Sequence, residues 1–589
     1  MKIKLSDYIF EYLKEKNITT TFSVSGGAAA HLLDSAKKYN IEYIANYHEQ
    51  ASAMAAEGYS RIKNIPALVL VTNGPGSSNT ITGVVGAFQD SIPMFVISGQ
   101  VPTTQTLNTQ PLGLRQLGVQ EVDIIKMVDP ITKYAHQITD ATNIKYNLDK
   151  AYHECTTGRK GPVWLDIPLD IQSTIIETDK LRGFNPPLIN YPSYDIKSLV
   201  NLILKAKRPL IVTGNGIHLS NTEKIFKDLI NHLQIPAVST WTSKDLFNWE
   251  DPLFVGNFGL LGERAGNFAI QKSDLILVLG SRLSIPNIGY KSELFSPNST
   301  KIMVDIDKNE LNKTTLNIDY KIEANLNEFI PNLIKNLPKD MPKWESWIQE
   351  NNKLKHKYPV FLPEYRENNI KINSFYFIEV LSKHLKNHIV VTDMGTSYTC
   401  THQSLRTNGK SRLYTSSACC SMGFGLPGAI GTYFGDKTKE IILIAGDGGM
   451  QMNIQELQTI VHHNIPIKIF ILNNQSYLAI SLMQDNLFNS NYIGSTPDSG
   501  VSSPDFCKIA TAYGIKSIKL NNNKELDLQI ESVLNYKGPI LCEIMMPPNQ
   551  LLIPRVQSKK NNKGEIESTS LENMFPFLDD IEFKSIMNK

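Results

Sequence analysis

Cysteine, charge of one sign and long apolar runs are all scarce in this sequence. Six cysteines, Cys155, Cys400, Cys419, Cys420, Cys507 and Cys542, are spread over 589 residues without a CxxC pair. Neither a disulfide framework nor a cysteine-ligated metal site is expected, and reduced thiols point to the cytoplasm. Lys and Arg number 59 against 57 Asp and Glu, which leaves no basic surplus to hold nucleic acid or an anionic membrane surface. No run approaches the roughly 18 apolar residues of a membrane-spanning helix. The opening MKIKLSDYIFEYLKEKNI interrupts its apolar residues with charges too often for a secretion signal. These absences leave a soluble globular protein with no nucleic acid and no membrane as partners.

What is present is length and a repeated pattern. At 589 residues the chain exceeds the roughly 250–300 residues at which a single core stops growing, so several domains are expected. Compact apolar runs bounded by Gly, Pro or polar turns recur in three groups. The first is IPALVLVTN (65–73), IPMFVISGQ (92–100) and PVWLDIP (162–168). The second is RPLIVTGNG (208–216), DLILVLGSR (274–282) and KIMVDID (301–307), and the third is IVVTD (389–393), IILIAGDGG (441–449) and IKIFILNN (467–474). Such runs read as buried parallel strands, with helical stretches such as Ser77–Gln89 between them. The fold class is therefore α/β, with three parallel-sheet Rossmann-like domains over residues 1–180, 190–345 and 365–550. FNPPLINYPSYD (184–195) reads as a linker, because its prolines break both helix and strand patterns. Residues 551–589 form a C-terminal arm in which hydrophilic QSKKNNKGEIEST (557–569) precedes aromatic LENMFPFL (571–578). The arm reads either as a disordered tail or as a lid docked by Phe575 and Phe577.

The strongest chemical signal is GDGGMQMN (446–453) followed by LNNQS (472–476). Asp447 and Asn474, 27 positions apart, each follow a strand of the same expected sheet. One Asp oxygen, one Asn oxygen, a main-chain carbonyl and two phosphate oxygens give the near-octahedral all-oxygen shell of a hard divalent cation. Gly446, Gly448 and Gly449 allow the close backbone approach a diphosphate needs, and the following helix turns free N–H groups toward negative charge. In the first domain, YHEQASAMAAEGYSR (47–61) puts Glu49 at the head of an Ala-rich helix, where an acid also suits the helix alone. TNGPGSSN (72–79) has neither the Lys-Ser/Thr pair of a P-loop nor the GxGxxG spacing of a dinucleotide fingerprint.

With GDG followed 27 residues later by NN, the chain resembles thiamine-diphosphate-dependent enzymes, specifically the acetolactate synthase large (catalytic) subunit family, over nearly all of residues 1–550. The resemblance implies that Asp447, Asn474 and the carbonyl of Ser476 hold Mg²⁺ and, through it, thiamine diphosphate. It implies that Glu49 hydrogen-bonds the aminopyrimidine and so promotes loss of the thiazolium C2 proton, a task for a carboxyl group in a shielded site. Gly26, Gly74, Asn79, Met422 and Met452 join the glycines of 446–449 as cofactor-site residues, with Asn79 opening the next helix and Met422 propping the bent cofactor. Gln120 matches the active-site glutamine of the branch, while Val119 stands where Phe is common. Ala479, Ile480 and Met483 line the substrate pocket, where the family often has Met, Val and Trp; the small Ala479 and unbranched Met483 leave a differently shaped pocket.

The implied activity is decarboxylation of pyruvate or a close 2-oxo acid and transfer of the two-carbon unit to a second carbonyl. Pyruvate, a keto sugar and an aldehyde stay open as acceptors, and simple decarboxylation is a further alternative. TGNG (213–216), LLGERAG (260–266), GSRLS (280–284) and VDIDKNEL (304–311) follow expected strands, where turns often approach a nucleotide, and the resemblance implies FAD as a second cofactor. GSRLS departs from the family's pattern, so FAD, no ligand and another nucleotide all stay open for the central domain. The resemblance also implies a homodimer or homotetramer with active sites at subunit interfaces. A catalytically silent scaffold is disfavoured, because Glu49 and the Asp447/Asn474 pair are both retained.

Overall fold

The computed structural model describes residues 1–109, 112–367, 370–560 and 566–587. Residues 561–565 of the hydrophilic stretch in the arm therefore lie outside the described residues. The first domain carries β1 (Lys2–Lys4), β2 (Thr20–Ser23), β3 (Glu42–Ala45), β4 (Ala67–Val71), β5 (Met94–Gln100), β6 (Tyr134–Gln137), β7 (Pro162–Pro168) and β8 (Ile175–Glu177). The central domain carries β9 (Pro209–Thr213), β10 (Ala237–Ser239), β11 (Phe254–Asn257), β12 (Leu275–Leu279), β13 (Thr300–Asp305) and β14 (Tyr320–Glu323). The third carries β15 (Ile389–Thr392), β16 (Arg412–Tyr414), β17 (Ile441–Gly446), β18 (Lys468–Asn473), β19 (Lys516–Leu520) and β20 (Ile540–Met545).

Three six-stranded sheets result, in the orders β3-β2-β4-β5-β7-β6, β11-β10-β9-β12-β13-β14 and β16-β15-β17-β18-β20-β19. Neighbours within each are parallel, whereas β1 pairs antiparallel with β8. Strands such as ALVLV of β4 are buried along their whole length, which is why they read as continuous rather than alternating apolar runs. The first and third sheets share one topology, and the central sheet has the 3-2-1-4-5-6 order of dinucleotide-binding domains.

Each sheet has a strand-order reversal near its middle: between β2 and β4, between β9 and β12, and between β15 and β17. Ligands of open α/β sheets bind beyond the strand C-termini at such reversals. At all three the two loops come too close for a side chain. A Cβ on Gly26, after β2, would stand 2.5 Å from Thr72 Cβ, after β4. One on Gly216, after β9, would stand 2.6 Å from Gly280 Cα, after β12, and one on Gly449 would overlap the Asp393 carboxylate that follows β15.

The first and third domains share a core. Helix Glu49–Lys63 lies against helix Gly425–Gly435, and Phe22, Met54 and Ala55 pack with Phe424, Ala429 and Ile430. The helices cross where glycine permits: a Cβ on Gly58 would overlap the Gly428 carbonyl, and one on Gly431 the Ala55 carbonyl oxygen. Gly431→Ala must therefore separate the two helices, and is expected to lower stability by about 1–3 kcal/mol, read as a lower urea midpoint. Arg61 on the first helix is buried between Glu57 (2.7 Å) and Asp90 (2.5 Å), and Asp90 also accepts from the Ser417 N–H of the third domain at 2.7 Å.

The arm lies along the central-domain helix Arg264–Lys272. Asn267 Nδ2 donates to the Leu571 carbonyl (2.9 Å), Arg264 Nη1 to that of Met574 (3.2 Å), and Gln271 to Glu572 (2.7 Å). Leu571 and Met574 are buried, whereas Phe577 faces solvent and Phe575 is half-buried. The contact described is thus made by buried Leu571 and Met574, the Glu572 carboxylate and the arm's own carbonyls, where the sequence suggests the aromatic pair. Ser77–Gln89, expected as one helix, divides into Pro75–Asn79 and Ile81–Gln89.

Candidate active site

Glu49 is the first residue of its helix, and His48 caps that helix by accepting from the Gln50 N–H at Nδ1 (3.0 Å). The Glu49 carboxylate is half-buried, and its Oε2 accepts from Asn79 Nδ2 at 3.0 Å. Oε1 lies 3.7 Å from where a Cβ would stand on Gly76. Asn79 closes the short helix Pro75–Asn79 rather than opening the next one. The cause is Thr80, whose hydroxyl donates to the carbonyls of Gly76 (3.0 Å) and Ser77 (2.7 Å) and tightens the turn there. Gly74 adopts φ +59°, and a Cβ on it would overlap the Gln120 carbonyl. Asn73 Nδ2 holds the neighbouring Val119 carbonyl at 2.8 Å. Glu49, Gly74, Asn79, Val119 and Gln120 are thus brought into one cluster of loops beyond β4, with Gly26 facing Thr72 across the strand reversal. Val119 itself is 78% exposed.

The second cluster forms beyond β17 and β18. Asp447 is buried; its Oδ1 accepts from the Gly448 N–H (2.9 Å) and its Oδ2 from the Gln475 N–H (2.8 Å) and the Ser503 hydroxyl (2.8 Å). All of these donors are neutral, and burial pushes the Asp447 carboxyl above the usual carboxylate range, partly opposed by these hydrogen bonds. Asn474 Nδ2 donates to Ser476 Oγ at 2.9 Å, which leaves the amide oxygen for a cation. A buried carboxylate without a counter-charge among the described residues, beside an amide oxygen and a main-chain carbonyl, fits a hard divalent cation. Gly446 has open space where a Cβ would be, whereas Gly448 lies under the Tyr477 ring with Met422 Cε 3.2 Å from its Cβ position. Met452, Ala479, Ile480 and Met483 are all exposed, the last three on one face of helix Leu478–Phe488. Among the described residues no hydrogen bond joins the Glu49 cluster to the Asp447 cluster.

Asp393 escapes sequence reasoning. It is buried at the end of β15 and accepts from the N–H groups of Met394 (2.7 Å), Gly423 (3.1 Å) and Gly425 (2.8 Å), so it ties down the loop that carries Met422. The signal was its place after IVVT, at the same strand reversal as Asp447. Asp505, Cys507 and Glu543 also gather their ligand atoms, but Lys519 Nζ occupies the space between Asp505 (3.4 Å) and Glu543 (2.9 Å).

A cavity of about 970 Å³ opens beyond the central sheet. Its walls include Gly214 and Gly216 after β9, Gly280 after β12 and Asp305 at the end of β13. It extends to Tyr398 and Cys420 of the third domain, two residues short of Met422. Burial raises the Asp305 carboxyl to about 6.

Domain models of the thiamine pyrophosphate enzymes match the chain three times. The N-terminal TPP-binding domain matches residues 3–127, the central domain residues 196–333, and the C-terminal TPP-binding domain residues 393–544. The acetolactate synthase large subunit of Lactococcus lactis subsp. lactis is 32% identical over 574 residues, covering 94% of this chain and 96% of that one. A probable acetolactate synthase large subunit of Methanococcus aeolicus is 31% identical over 570 residues, covering 93% and 92%. The acetolactate synthase isozyme 1 large subunit of Escherichia coli is 28% identical over 555 residues, covering 94% and 95%. Among the described residues no helix is long and apolar enough to cross a membrane. With all three domains matched in order and relatives aligned over nearly their whole length, the chain belongs to the thiamine pyrophosphate enzyme family, on the branch of the acetolactate synthase large subunits.

Proposed function

We propose that the chain is a catalytic subunit that decarboxylates pyruvate, or a close 2-oxo acid, and transfers the two-carbon unit to a second carbonyl, as its relatives' names imply. The observation that carries this reading is the pair of half-sites: a helix-head Glu49 oriented by Asn79, and a buried all-oxygen donor set around Asp447. Thiamine diphosphate, when bound, supplies the nucleophilic carbon and the electron sink for decarboxylation. Asp447, Asn474 and the Ser476 carbonyl would hold Mg²⁺ on the diphosphate, with the backbone of Gly446, Gly448 and Gly449 beside it. Met422 would pack against the bound cofactor, and Glu49 would hold and move the proton at its pyrimidine nitrogen. Ala479, Ile480 and Met483, with Val119, form the substrate pocket and exclude water from it, while Gln120 acts on the reacting groups and Met452 lies on the cofactor side. These side chains are exposed in one chain, which supports a homodimer or homotetramer whose second subunit completes each site. A cytoplasmic location belongs to the same reading.

Incubation with ¹³C-pyruvate, Mg²⁺ and thiamine diphosphate is expected to give labelled 2-acetolactate. Absence of oxo-acid turnover overturns the proposal; little acetolactate but a labelled adduct with an added sugar or aldehyde reassigns only the acceptor. For the central cavity we assign FAD. Support comes from the dinucleotide strand order, a volume of about 970 Å³ and the glycine loops on its wall. Denaturing the purified protein is expected to release flavin in stoichiometric amount, read by its fluorescence. No flavin, even after reconstitution with FAD, rejects that assignment.

A further inference from the structure

The turn that presents Glu49 is held from the far end of its own chain. Glu456, buried in the short helix Ile454–Glu456, accepts from Asn46 Nδ2 at Oε2 (2.8 Å) and from the Tyr47 N–H at Oε1 (2.9 Å). The His48 N–H bears on the same carboxylate, and the Thr459 hydroxyl donates to Oε2 at 2.7 Å. Three consecutive residues directly before Glu49 thus share one acceptor. Asn453 grips the other side: its Nδ2 donates to Gln50 Oε1 (3.3 Å) and to the Gly423 carbonyl (2.8 Å), next to Met422. From Asn453 and Glu456 the chain runs back through helix Asp447–Met452 to the proposed metal ligand.

From this geometry we infer that Asn453 and Glu456 are positioning residues: they clamp the turn 46–50 and so tie the setting of Glu49 to the diphosphate half-site of the same chain. A buried carboxylate that satisfies several donors on one turn fixes that turn, because any movement leaves donors and acceptor unpaired in a dry site. Neither residue touches the reacting atoms. The inference rests on the proposed function in taking Glu49 and Asp447 as the working groups. Where Glu49 meets the diphosphate domain of a second chain, the tie links two different catalytic centres, and loading one sets the acid of the other.

One detail separates a clamp from a charge effect. Among the described residues Asn46 Oδ1 is buried without a hydrogen-bond partner, so the Asn46 amide can turn over and accept from a glutamine at position 456. Glu456→Gln therefore keeps the clamp, whereas Glu456→Leu removes it. The test is amide hydrogen exchange of the peptide spanning residues 46–52 in the full-length protein, with and without Mg²⁺ and thiamine diphosphate. It is read beside calorimetric cofactor affinity and kcat.

In wild type these amides are expected to exchange slowly in the apo protein and more slowly once loaded. Glu456→Leu is expected to speed apo exchange and lower kcat, each on the order of tenfold, while cofactor affinity changes by less than about threefold. Glu456→Gln is expected to restore both. If Glu456→Leu does not fold, Asn46→Ala, which removes one leg of the clamp, carries the same expectation at smaller size. Unchanged exchange in the variants that remove the clamp, or a glutamine variant as impaired as the leucine one, overturns the inference. A wild type that binds no thiamine diphosphate overturns the proposed function instead, while apo exchange still decides the clamp.

Discussion

Glu49→Gln is expected to lower turnover of pyruvate by about 10²–10⁴-fold, the range that a positioned acid–base group supplies. Glutamine keeps the length and planarity of the side chain, and its amide oxygen still accepts from Asn79 Nδ2, now 3.0 Å from Glu49 Oε2. The helix head also keeps its His48 cap. What is lost is the ability to hold and move a proton. Cofactor binding should therefore persist, because the groups proposed to hold Mg²⁺ lie around Asp447, and the loss should fall on kcat rather than on KM. The check is steady-state kinetics on pyruvate beside a cofactor titration. A variant that retained turnover within a few-fold would remove Glu49 from the proposed chemistry. Asn79→Ala, which frees the carboxylate without removing it, should show a smaller loss of the same kind.

Much of this was legible in the sequence because it is local. Each apolar run that reads as a strand is buried on both faces, so composition alone marks it. Asp447 and Asn474 declare themselves because each directly follows such a run, whereas Glu49, an acid that also suits a helix start, is picked out by the family resemblance. The sequence is silent where the cause lies in another loop. Asp393 matters through the backbone of Gly423 and Gly425, about thirty positions away, and nothing in IVVTD announces that reach. Gly431 looks like any helical glycine until Ala55 is set against it. The resemblance implies that Asn79 opens a helix; here the Thr80 hydroxyl donates to the carbonyls of Gly76 and Ser77 at the point where the helix divides, and Asn79 closes the first half instead. The arm misled for a related reason. Aromatic residues carry the most apolar area, but Leu571 and Met574 meet the helix Arg264–Lys272 while Phe577 is left facing solvent.

Lys244→Met is expected to destabilise the protein by about 3–5 kcal/mol, the usual cost of stranding one half of a buried ion pair. Lys244 is completely enclosed, and burial pulls its ammonium below the usual lysine value, with Glu263 opposing the shift. Its Nζ donates to Glu263 Oε1 (3.3 Å) and to the carbonyls of His402 (3.0 Å) and Gln403 (2.9 Å). Those carbonyls lie in the last turn of helix Thr396–Ser404, so one ammonium neutralises a carboxylate and caps a helix C-terminus of the neighbouring domain. Methionine fills similar volume but leaves all three acceptors short. Glu263 still receives the Asn257 N–H at 3.1 Å and His402 the Asn257 amide at 2.8 Å, which is partial compensation and keeps the expected loss inside the stated range. The double variant Lys244→Met/Glu263→Gln removes the stranded charge and should recover a large part of the loss, a coupling that independent sites would not give. Urea unfolding of the two single variants and the double supplies the cycle. Additive losses would mean that Lys244 acts through its carbonyl contacts alone. Because Tyr398 on the same helix lines the central cavity, the single variant should also release any ligand of that cavity more readily, so the charge pair and the cavity stand or fall on one helix position.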